Sequence, residues 1–287
     1  MPRKLAGHLA GLIFTAIAGA LFAATLVRLA PGADSDEHDF DPRFSQSSIA
    51  ALHQARDADR SLPRYYMKYL GGLAHGDFGT SYSLKRPVSE LIADRGPATL
   101  KLTGVGLAAG WTFGFTLALA AVRFKNGVGW AASAASSLLL CLPVALTALL
   151  ILFVRAPWWW AISLAVIPKI YTYSRAMLEK IEHEPHVLLA RAQGLGRGRI
   201  LFRHVLPPIL PELFALAGIS VSLAFSAAIP IEAISDVPGV GQLAWQAALG
   251  RDLPILVTVT LLLALITRAA NAAADIAISA LPSGAAR

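Results

Sequence analysis

The stretch TGVGLAAGWTFGFTLALAAV, residues 103–122, carries no charged side chain and decides the fold class of this chain. A helix needs about 20 apolar residues to cross the hydrocarbon core of a bilayer, and this stretch is long enough. Gly106, Gly110 and Gly114 follow one another at four-residue spacing, so they share one helix face. Small residues on one face let neighbouring helices approach closely, and we expect ordinary close packing along this face.

Five more apolar stretches give the chain the pattern of an all-α polytopic membrane protein. Hydrophobic residues make up 55% of the chain and charged residues only 15%, whereas soluble domains carry about 25% charged residues. The first stretch follows the basic Pro2-Arg3-Lys4, as a signal peptide would, but its length favours a retained helix. The predicted spans lie near residues 9–30, 98–122, 130–154, 157–178, 212–235 and 253–279.

Lysine and arginine in the connections between spans predict the orientation. With the N-terminus in the cytoplasm, the inward segments hold most of the cations, and the short outward loops hold only Arg155 and Arg251. We therefore expect both termini in the cytoplasm and read the net charge of +7 as mostly a topogenic signal. No basic stretch is interleaved with base-stacking aromatics, so nucleic acid is not an expected partner. The predicted organisation is an N-terminal transmembrane helix at 1–30, an extracytoplasmic segment at 31–97, and a transmembrane domain at 98–287 with a cytoplasmic loop at 179–211.

The predicted extracytoplasmic segment opens with an acidic run at residues 34–41. Two helices are predicted to follow, one at 45–58 and one that starts near Pro63 and ends at Gly71-Gly72. This segment is too small for an enzyme domain. We expect it to be a cap on the helix bundle or a contact surface for an extracytoplasmic partner.

The sequence carries no motif for chemistry of its own. It has no phosphate-binding loop, no H-E-x-x-H and no G-x-S-x-G. The lone Cys141 excludes a disulfide within the chain and is predicted to be a small buried packing residue. His183, His186 and His204 lie in the predicted cytoplasmic loop, where solvated side chains are more typical than metal ligands. We therefore expect no catalytic residue, cofactor or metal, so any energised work needs nucleotide chemistry from another chain.

The predicted cytoplasmic loop has the pattern of a docking element. Glu184-Pro185 is a plausible helix start, and Gly194 is a natural residue to end that helix with positive φ. Ala190 and Ala192 keep the helix surface small, which suits insertion into a groove of a rigid partner. A second short helix is predicted over residues 200–206, ended by Pro207-Pro208. The alternative is a surface helix that lies flat on the membrane.

This loop resembles that of ABC importer permeases of the dipeptide, oligopeptide and nickel branch. The residues that carry the likeness are Ala190-Arg-Ala-Gln-Gly-Leu195 and Arg203-His-Val-Leu206, followed by Pro207. Other segments agree with that branch along most of the chain, namely Arg28–Gly32, Gly76–Ser81, Pro87–Ile92, Glu232 with Val237–Gly241, and Arg251–Pro254. The acidic insert at 34–41, the short connection Arg155-Ala-Pro157 and Pro207-Pro208 depart from it.

The resemblance implies a bacterial inner-membrane permease that is not itself an enzyme. Its implied partners are two ATP-binding subunits, a second homologous permease and an extracytoplasmic solute-binding protein, and its implied solute is a short peptide or a related small molecule. The loop would dock in a cleft of an ATP-binding subunit. The residues that the resemblance assigns to this docking are Ala190, Arg191, Ala192, Gly194, Leu195, Arg203, His204, Leu206 and Pro207.

Polar residues in or beside the last two predicted spans have two interpretations. Asn271 and Asp275 are four residues apart on one helix face, and Arg268 stands three residues before Asn271. They could line a translocation path or clamp neighbouring helices together, and Glu232 could face the mouth of a path or an outer partner. An ion-coupled secondary transporter or another non-ABC membrane protein remains the alternative class, although such transporters typically show inverted repeats and broken helices.

Overall fold

The computed structural model describes residues 77–124 and 127–281, with scattered helical positions between residues 7 and 25 and at 67, 71 and 72. Most of the predicted first span at 9–30 lies outside the described residues. So do the acidic run at 34–41, the predicted helix at 45–58 and most of the one that starts near Pro63.

Helices dominate the described part of the chain, and an antiparallel bridge between Thr80 and Pro87 stands outside them. This confirms the predicted all-α class. In chain order the helices are α1 (Val88–Arg123), α2 (Val128–Cys141), α3 (Val144–Val154), α4 (Trp159–Glu182), α5 (Pro185–Ala192), α6 (Arg197–Ile200), α7 (Leu206–Ser235), α8 (Val240–Leu249) and α9 (Leu253–Ala280), with a π-helical turn at Leu201–Val205 between α6 and α7.

Three helical stretches among the described residues are long and apolar enough to cross a membrane. They are α1, the continuous stretch Arg197–Ser235 that contains α7, and α9. They coincide with the predicted second, fifth and sixth spans. Helix α4, of 24 residues, occupies the predicted fourth span, but its tryptophans, tyrosines and Lys169 make it less apolar than these three. The count of six spans and the cytoplasmic termini stay predictions.

The predicted third span at 130–154 is not one straight helix. It consists of α2 and α3, which are bent by 106° at a break over Leu142 and Pro143. Leu142 is extended, with φ −80° and ψ 124°, as expected for a residue that precedes proline. Cys141 ends α2 at this break and is exposed. The prediction that Cys141 is a buried packing residue was therefore wrong.

The chain divides into two compact units by its internal contacts. One comprises Met1–Gly96 with Leu243–Ala264, and the other comprises Pro97–Gln242 with Leu265–Arg287.

In the first unit, a turn at residues 81–86 is fastened to the residue that precedes α9. The Oδ2 atom of the buried Asp252 accepts hydrogen bonds from Ser81 Oγ at 2.6 Å, Ser83 N at 2.9 Å and Ser83 Oγ at 2.7 Å. Burial alone would raise the pKa of the Asp252 carboxyl, but these hydrogen bonds stabilise the charged form and together lower the pKa below its ordinary value. The carboxylate thus joins two segments that are far apart in sequence.

In the second unit, the glycine face of α1 packs against α4. A Cβ atom built on Gly106 would lie 2.5 Å from Ile162 Cβ, one on Gly110 would lie 2.3 Å from Val166 Cγ2, and one on Gly114 would lie 2.9 Å from Ile170 Cγ2. Ser163 Oγ also donates to the Gly106 carbonyl at 2.9 Å. The structure confirms the predicted close packing, which leaves no room for a larger residue on this face.

Two apolar clusters form the core of the second unit. The first is built around Ile162, Val166, Ile170 and Ile231. The second combines the C-terminal half of α4 with the segment that follows it; its members include Tyr171, Leu178, Val187, Ala190, Ile200, Val205 and Ile209. Because the second cluster reaches into α5 and the π-helical turn, the predicted cytoplasmic loop is a packed part of this unit.

Candidate functional site

Helix α5 begins where the sequence predicted it. Glu184 is extended, with φ −70° and ψ 143°, and Pro185 opens the helix. The Glu184 carbonyl accepts from Val187 N at 3.0 Å and from Leu188 N at 3.1 Å. Proline suits the first helical position because its missing N–H would have no partner there.

Helix α5 ends in a Schellman turn at Gly194. Gly194 has φ +73°, the left-handed region that glycine adopts without steric cost. Its N–H donates to the Arg191 carbonyl at 3.0 Å, and Leu195 N donates to the Ala190 carbonyl at 3.3 Å. These two hydrogen bonds satisfy carbonyls at the helix end and define the motif. Leu195 packs against the second core cluster, to which Ala190 belongs. The predicted helix stop at Gly194 is confirmed.

The two faces of α5 differ from the predicted small-residue surface. Ala190 is 3% exposed and packs in the second core cluster, whereas Ala192 is exposed. The outward face carries Leu188 and Leu189, which are 49% and 60% exposed. Ala190 therefore packs on the inner side of the helix, and the outward face carries two leucines in place of the small residues that were predicted there.

The segment after Gly194 corrects a prediction. The short helix at 200–206 does not end at Pro207-Pro208, because helical structure is continuous over Arg197–Ser235. The π-helical turn explains why: Leu206 N donates to the Leu201 carbonyl, and the α-helical pattern restarts with both prolines in the first turn of α7. In the first turn of a helix, a backbone N–H has no carbonyl of the same helix to bond to, so a proline there removes no hydrogen bond and does not break the helix.

Two contacts fix α5 against its neighbours. His186 Nε2 donates to the His204 carbonyl at 3.1 Å, which joins α5 to the π-helical turn. Arg191 Nη2 lies 3.1 Å from Glu182 Oε1, which joins α5 to the end of α4. The second contact is partly exposed and contributes about 0–1 kcal/mol. Of the predicted docking residues beyond the Schellman turn, Arg203 is exposed, and His204, Leu206 and Pro207 are half-buried.

We name the exposed surface formed by Leu188, Leu189, Arg191, Ala192 and Phe202 the α5 surface. Phe202 is 71% exposed and belongs to the π-helical turn. Three further arginines on this stretch, at positions 197, 199 and 203, are also exposed. The surface thus combines large apolar side chains with positive charge. Among the described residues, no group of His, Cys, Asp or Glu could hold a metal ion.

Glu232 is fully buried and holds the start of α8. Its Oε2 atom accepts from Gly241 N at 2.7 Å and from Gln242 N at 3.3 Å. A Cβ atom on Gly239 would lie 2.1 Å from the same oxygen, so this position has no room for a side chain. The carboxylate satisfies the free N–H groups of a helix end, where negative charge is also favoured by the helix dipole.

The other predicted polar residues do not share one environment. Asn271 lies against α7, because a Cβ atom on Gly218 would be 2.7 Å from Asn271 Oδ1. Asp275 is exposed, and Arg268 is half-buried with a buried Nε atom. The position of Asn271 is that of a close helix contact.

Sequence reasoning missed a hydrogen-bonded cluster around Arg175. The Arg175 Nη1 atom lies 3.0 Å from the Gly129 carbonyl, 3.0 Å from Tyr171 Oη and 2.5 Å from Ser133 Oγ. Arg175 also pairs with Glu179 at 2.7 Å. The spacing of Tyr171, Arg175 and Glu179 at four-residue intervals was visible in the sequence, but their partners on α2 were not.

These features define a helical membrane protein in which α5 packs against the core of the second unit and exposes the α5 surface. The sequence profile described as "Binding-protein-dependent transport system inner membrane component" matches residues 110–285. The chain belongs to this family. It is a permease subunit of an ABC importer and a component of the inner membrane, as the resemblance implied.

Similar proteins agree with this assignment. The oligopeptide transport system permease protein OppB of Haemophilus influenzae is 27% identical over 89% of this chain and 90% of its own length. OppB of Salmonella typhimurium is 28% identical over 83% and 84%, and AppB of Bacillus subtilis is 26% identical over 88% and 89%. Among solved structures, an inward-facing conformation of the MetNI methionine ABC transporter matches with a TM-score of 0.57 and 19% identity, over 67% of this chain and 96% of that one. The structural match shows that the fold is shared.

Proposed function

We propose that this permease subunit carries short peptides, or a related small solute, through the membrane, driven by ATP-binding subunits that dock on the α5 surface. The assembly would contain a second homologous permease, two ATP-binding subunits and an extracytoplasmic solute-binding protein. The relatives named above, which include two oligopeptide permeases called OppB, support the peptide as solute.

The observation that carries the docking proposal is the exposed apolar face of α5. Leu188, Leu189 and Phe202 are all about half exposed or more. Exposed large apolar side chains are typical of surfaces that contact another protein or a membrane. The His186–His204 hydrogen bond, the Arg191–Glu182 ion pair and the Schellman turn hold the backbone beneath them, so little flexibility is lost when a partner binds. The adjoining arginines favour a partner groove with an acidic rim.

The mechanism follows from the way α5 is attached. Only His183 and Glu184 separate α4 from α5, and a partner that closes on ATP binding would therefore displace the end of α4 directly. A ligand shifts a conformational equilibrium only by the difference between its affinities for the two states. The ATP-binding subunits must accordingly grip α5 differently when closed and when open, and the bundle would face outward in one state and inward in the other.

The docking test uses a Leu189→Asp variant, with Leu84→Asp as the matched control. Leu84 is 44% exposed but lies in the turn at residues 81–86, in the segment predicted to be extracytoplasmic. We expect Leu189→Asp to reduce co-purification of the ATP-binding subunits at least tenfold, and Leu84→Asp to leave it unchanged. Equal retention in both variants would refute the docking site. Loss of retention in the control as well would point to misfolding, which a size-exclusion profile of each variant reports directly.

The transport test uses the whole assembly in proteoliposomes. We expect uptake of a labelled tripeptide that requires ATP inside or outside according to the side that carries α5, and that requires the solute-binding protein on the opposite side. Uptake driven by a proton or sodium gradient without ATP would favour the secondary transporter instead. Labelled Ni²⁺ and methionine in parallel assays would identify a different solute.

A further inference from the structure

We infer that Arg175 is a positioning residue that makes α2 follow α4 when α5 is displaced. This inference rests on the proposed function, because it concerns how movement of the docked surface reaches the rest of the bundle. Arg175, Tyr171, Ser133 and the carbonyl of Gly129 form what we call the α2–α4 clamp.

The position of the clamp relates it to the α5 surface. Arg175 stands seven residues before Glu182, where α4 ends, which is about two helical turns or 10 Å. Leu178, between them, is buried in the same core cluster as Val187 and Ala190 of α5. We therefore expect the C-terminal end of α4 and α5 to move together. Arg175 lies on this part of α4, and its side chain contacts α2.

The central donor of the α2–α4 clamp is the Nη1 group of Arg175. Nη1 carries two hydrogens and shares them among the Gly129 carbonyl, Ser133 Oγ and Tyr171 Oη. The carbonyl of Gly129 also accepts from Ser133 Oγ at 2.8 Å and from Tyr171 Oη at 3.3 Å. A cation that binds a carbonyl and hydroxyls in partly buried surroundings makes stronger hydrogen bonds than neutral partners do.

The remaining contacts between α2 and α4 give a reason for such a clamp. Tyr171 is 1% exposed and Ala132 of α2 is 6% exposed, so the two helices also pack through apolar atoms. Apolar packing is non-directional and specifies the register between two helices less strictly than hydrogen bonds do. Hydrogen bonds from Arg175 to a backbone carbonyl of α2 fix the register of α2 against α4. A displacement of α4 is therefore transmitted to α2.

The direction of transmission continues beyond α2. Helix α2 leads through the 106° bend at Leu142 and Pro143 into α3. Helix α3 contributes Ala148 and Ile151 to the first core cluster, which also holds Ile231 of α7. A displacement of α5 can thus reach α7 through α4, the clamp, α2 and α3.

The test compares Arg175→Gln with Glu179→Gln in the complete transporter. Glu179 accepts from Arg175 Nε at 2.7 Å and is half-exposed, so its variant keeps every contact to α2. In proteoliposomes we expect Arg175→Gln to retain ATP hydrolysis but to transport at least tenfold fewer solute molecules per ATP. Glu179→Gln should keep the wild-type ratio. Arg175→Lys, which preserves the charge, should restore part of the ratio.

A distance measurement separates positioning from general stability. Spin labels are placed at Ala131→Cys on α2 and Ala176→Cys on α4, both exposed positions, in a Cys141→Ser background. We expect one narrow distance distribution with and without a non-hydrolysable ATP analogue when Arg175 is present. In Arg175→Gln the distribution should broaden when the analogue binds.

Three results would overturn the inference. They are a wild-type ratio in Arg175→Gln, an unchanged narrow distance distribution in that variant, and a parallel loss of ATP hydrolysis and transport. Should Arg175→Gln fail to assemble, Tyr171→Phe decides, with an expected loss of about threefold in the ratio if the clamp acts as inferred and no loss otherwise. The proposed function is judged separately on the wild-type assembly, because absence of ATP-dependent uptake there would refute it whatever Arg175 does.

Discussion

The sharpest prediction concerns the turn at Gly194. Gly194 has φ +73°, and apart from its two chain neighbours no heavy atom lies within 4 Å of the place where a Cβ atom would stand. A substitution there therefore meets no steric obstacle from neighbours, and its whole cost is conformational. For an L-residue the left-handed region costs about 1–2 kcal/mol, and asparagine tolerates it better than other residues while β-branched valine tolerates it worst.

The expected effect can be ordered across three variants. Gly194→Asn should lose little, Gly194→Ala about 1 kcal/mol and Gly194→Val about 2 kcal/mol of the preference for the turn. A loss of 2 kcal/mol corresponds to a reduction of about 30-fold in the population of the native turn relative to its alternatives. Since the two hydrogen bonds of the turn orient the end of α5, ATP-subunit affinity should fall in the same order.

The assay is the affinity of detergent-purified permease for its ATP-binding subunits, measured beside ATP-dependent solute uptake. Thermal unfolding of each variant serves as the control, because the core beneath α5 is unaltered. We expect Gly194→Val to remain inserted and folded but to lose coupled transport. Equal affinity and uptake for the valine and asparagine variants would refute the reasoning about this turn.

Three further predictions concern the rest of the fold. Gly110→Val should lower the free energy of unfolding by about 1–3 kcal/mol, because its side chain would collide with α4, whereas Gly104→Val, with open space around it, should not; chemical denaturation in detergent distinguishes them. The folded-state pKa of Asp252 is lowered, so its contribution is complete above the unfolded value of about 3.9 and is lost as the pH falls through the folded value; Asp252→Asn should remove this pH dependence from melting curves measured between about pH 2 and 6. Gly239→Ala should destabilise the start of α8 by displacing the carboxylate of Glu232, and amide hydrogen exchange at the start of α8 should be faster in this variant than in the wild-type protein.

Local chemistry explains what the sequence predicted well. Pro185 and Gly194 mark the ends of α5 through backbone preferences that do not depend on the rest of the fold. The spacing of Gly106, Gly110 and Gly114 likewise fixes one helix face, and a membrane helix with such a face packs closely on a neighbour. These features could be read without a structure because each depends on residues within a few positions of one another.

The errors arose where packing against another helix, or an unusual hydrogen-bond pattern in the backbone, decides the outcome. Ala190 was predicted to lie on the exposed surface of α5, but its side chain is buried in the second core cluster with residues of α4. Pro207 was expected to end a helix, but a π-helical turn placed it where a helix can begin. The partners of Arg175 lie on another helix, and no spacing along the chain reveals which carbonyl a guanidinium will meet.

The π-helical turn has one consequence for how this surface could change. The helical stretch Arg197–Ser235 contains 39 residues, which corresponds to a rod of about 58 Å. A π-helical turn holds one residue more than an α-helical register requires, and each residue rotates an α-helix by about 100°. Deleting a single residue at Leu201–Val205 would therefore swing everything before it, including Arg197 and the approach to Gly194, around the rod by roughly a quarter of a revolution. The rotational position of the Arg197 end of this helix is thus set by one residue. A homologue that lacks that residue would present a different side of the helix to the proposed ATP-binding subunit.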